Sequence, residues 1–355
     1  MDWSEIEGHS EQIEMFRRAI GRGRLSHAYL FLGHDGIGKK RFARCLAQCL
    51  LCERRQDVQL HSCGECPSCR QVAAGTHPDV YNIGRLEGKS ELTIDVFLGP
   101  KERRGKEGLC YELSLRPMVA DRKIAIIDDV DNMNDESANA LLKTLEEPPS
   151  NSLLILISSN VDALLPTIRS RCQLVRFSPL SQEIIANLLI HLEMVQDRHE
   201  ADSIAALSDG SLTTASQLLD PALRQIRDSL YSQLSAASFN PLAASAIAIE
   251  GVEQLGGSTN DQRQNAGWIV RFCIEFYRQA LLRLSGGAST FSNSDVDVFY
   301  SRYSGESPDD IELIMELLQR CETAGQHLSW RLAIPLCFEG LFNDLGKLAR
   351  PRVVQ

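Results

Sequence analysis

The sequence has no surplus of positive charge. Its 37 Lys and Arg stand against 47 Asp and Glu, a formal net charge of −10 over 355 residues. A chain that grips a polyanion unaided concentrates Lys and Arg, because its affinity comes from neutralised phosphates and released counterions. That class is excluded. There is no apolar run of the ~20 residues that a membrane-spanning helix needs. The opening MDWSEIEGHSE has neither the basic nor the apolar region of a secretory leader. A cytoplasmic protein without membrane association is expected, with its 11 cysteines reduced unless a metal holds them. Fixed-period repeats and low-complexity tracts are absent too, which excludes solenoids and compositional linkers.

What is present is a globular composition, 43% hydrophobic and 24% charged, and a length that implies two or three domains. The acidity is unevenly spread. Residues 1–180 hold 24 basic and 25 acidic side chains, whereas residues 181–355 hold 13 and 22. The first part alternates helix-like and strand-like segments. Glu11–Ile20, Lys40–Leu51 and Ser137–Glu147 read as helices, the last with Ala138, Leu141, Leu142 and Leu145 on one face and Pro148–Pro149 as its stop. Ala28–Gly33, Lys123–Asp131 and Leu153–Asn160 are apolar runs that read as buried strands. Such strands separated by helices imply a parallel sheet covered on both faces, with ligands at the carboxyl ends of its strands.

After FSPLS (Phe177–Ser181) the pattern is helical to the end. Ile184–Met194, Ala201–Leu207, Thr213–Leu219, Trp268–Leu284 and Ile311–Ala324 are expected as helices. A loop is expected over 286–294, and Pro335 should sit at a break or near a helix start. Trp268, Phe272 and Phe276 read as core. The implied architecture is an α/β P-loop domain over 1–178, a helical lid over 179–222 and an all-α domain over 223–355.

The strand at Ala28 runs into GHDGIGKK and then a helix. This is the phosphate loop spacing in the strand–loop–helix context that gives it meaning. Gly33, Gly36 and Gly38 permit the turn and allow backbone N–H groups to face a phosphate, and Lys39 is placed to reach it. The next residue should be Ser or Thr, a Mg²⁺ ligand. It is Lys40, which has no acceptor oxygen and repels the ion. IIDDVD puts Asp128 where a Walker B carboxylate would approach Mg²⁺. Asp129 stands where a hydrolytic site usually carries the longer Glu. ATP and Mg²⁺ are therefore weakly supported as ligands, and hydrolysis more weakly still. A solvated acidic strand end is the plain alternative for Asp128, Asp129 and Asp131.

Cys52, Cys63, Cys66 and Cys69 form C-x10-C-x2-C-x2-C within an insertion over about 49–70. Four thiolates with Gly and Pro between them suit a closed structural Zn²⁺ site. Cys49 reads as a buried helix residue. His61 and His77 fall outside the set and read as surface residues.

Together these residues resemble the bacterial clamp-loader AAA+ subunits of DNA polymerase III. The resemblance is carried by WSEIEGH (Trp3–His9), GRLSHAYLF (Gly23–Phe31), the phosphate loop, the cysteine module, HPD (His77–Asp79), NALLKTLEEPP (Asn139–Pro149) and SRC (Ser170–Cys172). It covers about residues 3–180, and the lid more weakly. It implies a sliding-clamp loading role at primed DNA, with gamma/tau and delta subunits as partners and the helical end as an oligomerising collar. It implies that Arg171 is an arginine finger, which acts on a neighbour's ATP. It also makes Ser158 or Ser159 the sensor at the third strand's end, and Thr213 the replacement of a sensor-2 arginine. With Lys40, Asp129 and Thr213 all departing from the motor pattern, the chain is similar to the delta-prime branch, with little or no ATPase of its own. An active gamma/tau-like motor and a zinc-containing scaffold outside replication are the alternatives.

Overall fold

A computed structural model describes residues 3, 6–54, 60–85, 91–286, 294–303 and 307–348. The loop expected over 286–294 lies almost wholly outside them. The chain divides into two compact units, one of residues Met1–Leu188 with Asp209–Thr213, the other of Leu189–Ser208 with Thr214–Gln355.

The first unit is built on five parallel strands: β1 (Ala28–Leu32), β2 (Val80–Ile83), β3 (Lys123–Ile127), β4 (Ser152–Ser158) and β5 (Gln173–Arg176). Their order is β2-β3-β4-β1-β5. β1, β3 and β4 are buried almost throughout, as strands covered on both faces must be. The two edges, β2 and β5, are short and mixed in polarity, which is why the hydrophobic pattern does not reveal them. The expected strand to Asp131 stops at Ile127. Asp129 turns left-handed there, with φ 56°, and opens a 3₁₀ turn over Val130–Asn132.

The helices of this unit are α1 (Ser10–Gly21), α2 (Lys39–Leu50), α3 (Pro67–Ala74), α4 (Ile94–Leu98), α5 (Leu109–Ser114), α6 (Asp135–Glu146), α7 (Pro166–Arg169) and most of α8 (Gln182–His191). Alternate residues of β1 face opposite ways. Ala28 and Leu30 join Ala125, Ile127, Leu141, Leu145, Leu154 and Leu156 in one core. Leu142, expected beside them, is only half-buried. Tyr29 and Phe31 enter an aromatic cluster with Phe16, Phe42 and Phe177. Phe42 is fully buried at its centre, so truncating it to Ala should cost about 3–5 kcal/mol.

The second unit is helical: α9 (Arg198–Leu207), the end of α10 (Leu212–Gln217), α11 (Pro221–Leu234), α12 (Pro241–Leu255), α13 (Thr259–Leu284), α14 (Ser294–Tyr300), α15 (Pro308–Ser329) and α16 (Ile334–Leu348). α13 opens with a capping box between Ser258 and Asp261 and packs along α15, and α12 packs on α16. Trp268, Phe272 and Phe276 are buried as expected. Pro335 sits in the first turn of α16, where its missing N–H costs nothing.

Candidate functional site

The sheet brings the phosphate loop, the acidic strand end and the end of β4 to one edge. Leu32 is in register with Ser158, and Ile127 with Leu156. Gly33, Asp128 and Ser159 therefore leave their strands close together.

The loop is tightly built. Gly38 takes φ 96° as the N-cap of α2, and Gly36 has φ 75°. A Cβ on Gly36 would stand 2.3 Å from Ser211 Oγ and 2.7 Å from Thr213 Cβ. The Leu212 N–H also donates to Gly36 O at 3.0 Å. Residues 211–213, Thr213 among them, thus lie directly on the phosphate loop. Gly33 has a backbone neighbour instead: a Cβ there would meet Phe177 O at 2.4 Å. Beneath the loop, buried His9 bonds Ile37 O through Nε2 at 2.7 Å, and its ring meets Phe177 edge-on at 4.9 Å. Burial lowers its pKa against the pull of backbone hydrogen bonds, so it is neutral.

The two lysines are both occupied. Lys39 is buried and donates to Gly33 O at 2.5 Å and His34 O at 2.6 Å. Desolvation lowers its pKa although Asp35 and Asp128 oppose this. Lys40 Nζ lies 3.1 Å from Asp128 Oδ2. The ammonium is thus held by the carboxylate that a Mg²⁺ ion would need. Arg85 pairs with Asp129 at 2.9 Å, and that pairing raises the arginine's pKa further. Ser159 Oγ donates to Asp131 Oδ2 at 2.7 Å, whereas buried Ser158 bonds Asn160 O at 2.9 Å. Each of the three acidic side chains has a protein partner. A Mg²⁺ ion would have to compete with these partners for the same carboxylates.

Arg171 lies beyond α7, apart from this set. Its Nη2 pairs with Glu146 Oε1 at 2.7 Å, and its Nη1 donates to Thr167 O at 3.0 Å and Ser170 Oγ at 3.3 Å.

The cysteine module forms a second site. The sulfurs of Cys52, Cys63, Cys66 and Cys69 all lie within 4.8 Å of one another. Cys63 and Cys69 are 3.9 Å apart, and tetrahedral Zn–S bonds of about 2.3 Å put sulfurs about 3.8 Å apart. Backbone N–H groups of Cys63, Cys66 and Cys69 point at Cys52, Cys63 and Cys66 sulfurs at 3.3–3.4 Å. Backbone hydrogen bonds pull the Cys63 thiol down to about 6. The set can hold a metal ion. Cys49 is buried in α2. His61 is exposed, but His77 is not the surface residue expected. It is buried, with Nε2 3.3 Å from Ser68 Oγ and Nδ1 accepting the Asp79 N–H at 3.1 Å. Ser68, one residue before Cys69, also donates through Oγ to Glu53 Oε1 at 2.8 Å, so its hydroxyl joins the histidine to that carboxylate.

Three partners escaped the sequence reading: Arg85, Glu146 and His9. His9, within WSEIEGH, and Glu146, within NALLKTLEEPP, both lay in motifs, but neither motif says what its side chain touches.

The strand order, the loop and the acidic strand end define an α/β P-loop domain of AAA+ type, followed by a helical region. The family described as "DNA polymerase III, delta subunit" matches residues 8–181. A DNA polymerase III subunit delta' of Pseudomonas aeruginosa is 34% identical over 229 residues, 64% of this chain and 66% of that one. Its Escherichia coli counterpart is 32% identical over 213 residues, 60% of each chain. The tau subunit of Salmonella typhimurium is 32% identical over 230 residues, 62% of this chain and 33% of that one. The alignments therefore span from a third to just under two thirds of these relatives. Over residues 8–181 the chain matches that family, and it is similar to the delta' subunits of DNA polymerase III.

Proposed function

We propose that the chain is a stator of the clamp loader. It would help place the sliding clamp on primed DNA, in a ring with gamma/tau and delta subunits, without turning over ATP itself. The observation that carries this reading is the Lys40–Asp128 ion pair, an internal cation where a motor subunit needs a metal. Arg171 stands apart from that pair and is half-exposed. It would act in trans, giving hydrogen bonds and positive charge to the γ-phosphoryl group in a gamma/tau neighbour. Residues 1–178 would form the ring module, 179–222 its lid and 223–355 the collar. Ser159, which meets Asp131, is the better sensor-1 candidate than Ser158.

The cysteine set would hold structural Zn²⁺. Four thiolates leave no open position, so the ion would brace the segment between α2 and α3 and supply no chemistry. Among the described residues no helix is long and apolar enough to cross a membrane, in keeping with a cytoplasmic role.

The test is copurification with gamma/tau and delta subunits, then ATPase assay of the assembled loader. Arg171→Ala should abolish clamp-stimulated turnover. Unchanged turnover overturns the trans role. Steady Mg²⁺-dependent hydrolysis by the purified chain overturns the stator reading in favour of a motor.

A further inference from the structure

We propose that Glu146 is the positioning residue of Arg171. This rests on the reading of Arg171 as an arginine finger. Glu146 is the last residue of α6, and Arg171 follows the short α7. The two meet through Nη2 and Oε1 at 2.7 Å. Nη1 is held from the other side by Thr167 O at 3.0 Å and Ser170 Oγ at 3.3 Å. A guanidinium carries five N–H donors in a rigid planar fork. These contacts use both Nη1 hydrogens and one on Nη2. The Nε–H and the second Nη2 hydrogen remain for a phosphate.

The anchoring solves a problem set by the side chain itself. A free arginine has many rotamers, and holding it against a partner's phosphate would cost that freedom at the moment of reaction. Thr167 O and Ser170 Oγ belong to Arg171's own turn and fix only its near side. Glu146 belongs to a different element, which packs against α7, so it ties the far end of the fork to the domain body. The carboxylate gains as well. It sits at the C-terminal end of a helix, where the macrodipole disfavours negative charge, and the arginine offsets that. The pair is partly exposed, 34% for Arg171 and 49% for Glu146. Exposed pairs add little to stability, so its loss should leave the fold intact while misplacing the finger.

The test uses the assembled loader with clamp and primed DNA. Assembly is checked by gel filtration, and kcat and the KM for ATP are measured for wild type, Glu146→Ala, Glu146→Gln and Arg171→Ala. Misplacement of a positioned group by ~1 Å costs up to about a hundredfold. Glu146→Ala should lower kcat about tenfold with KM for ATP within about twofold. Glu146→Gln, whose carbonyl oxygen still accepts from Nη2, should recover most of that loss. If Glu146→Ala falls out of the complex, Glu146→Asp, one methylene short of Nη2, serves in its place. Glu146→Ala at or above wild-type kcat, with Arg171→Ala inactive, overturns the positioning role and leaves the finger standing. Arg171→Ala at wild-type kcat overturns the finger and this inference with it.

Discussion

Lys40 Nζ stands 3.1 Å from Asp128 Oδ2. A Ser or Thr at position 40 would offer a hydroxyl oxygen to a metal; the lysine brings its own positive charge to the same carboxylate. The substitution therefore does more than delete a ligand. It satisfies the acidic strand end, as Arg85 does for Asp129 and Ser159 for Asp131. Two of the three carboxylates are paired with cations, and a Mg²⁺ ion at Asp128 would have to displace a formed ion pair.

Lys40→Thr should restore part of the lost metal site. Nucleotide affinity of the variant, followed by calorimetry with ATP, is expected to rise at least about tenfold when Mg²⁺ is added, equivalent to about 1.4 kcal/mol. Wild type should show no such gain. Turnover should stay absent, because Asp129 and Thr213 are unchanged. Equal Mg²⁺ responses in the two proteins would mean that the ion pair is not what keeps the metal out.

His9 should make the first unit sensitive to mild acid. Its folded pKa is lowered from 6.5, chiefly by burial. Above that value the ring is neutral in folded and unfolded chains alike. As pH falls below it, the unfolded chain takes up a proton that the fold resists, so stability declines. His77 is lowered by burial as well and should contribute in the same direction. Urea denaturation of the full chain at pH 7.5 and 5.5 should show the loss, and His9→Gln should reduce it by part. A His9→Gln variant that loses as much stability on acidification as wild type would remove the ring from the account.

Much of this site was legible before the fold was. The continuous apolar runs marked β1, β3 and β4, and the glycine spacing marked the loop between β1 and α2. The defect at Lys40 is a matter of side-chain chemistry and needs no coordinates. Its partner does. Nothing in the spacing says that Lys40 reaches Asp128, that Arg85 reaches Asp129, or that Arg171 meets Glu146, because each pair is joined across the sheet edge or between helices by tertiary packing. β2 and β5 stayed hidden because a four-residue edge strand with polar positions has no period to detect. α11 and α12 did carry a signal, Asp220–Pro221 and Asn240–Pro241, an N-cap acceptor followed by proline. His77 was misplaced because burial of a histidine depends on what surrounds it, here Ser68 and Asp79.

The cysteine module should contain one equivalent of zinc as purified under reducing conditions, measured by elemental mass spectrometry. Cys66→Ser removes one of the four thiolates but keeps a side-chain acceptor at the N-cap of α3, because a serine hydroxyl caps a helix as well. It should lose the metal and about 2 kcal/mol or more, about 4–8 °C in a unit of this size. A strong chelator should shift wild type towards the variant and leave the variant where it is. Metal-free wild type with the same Tm as Cys66→Ser would leave the thiols as packing residues only.

Asp79 organises the segment that leads into β3. It is fully buried, and its carboxylate accepts the N–H groups of Met118, Val119 and Ala120 at 2.7, 2.8 and 2.9 Å. Burial alone would raise its pKa, but the three N–H donors outweigh burial and hold it below 3.8. The sign follows: its stabilisation is fully present above 3.8 and is lost as pH falls through the lower folded value. Asp79→Asn replaces one acceptor oxygen by a donor facing a donor. At pH 7 it should cost about 2–4 kcal/mol in urea denaturation, the range for a buried charge-assisted network. The variant should also lose less stability than wild type between pH 5 and pH 3, because it has no carboxylate to protonate there. Equal urea midpoints at pH 7 would show that the Met118–Ala120 turn holds its shape without the carboxylate.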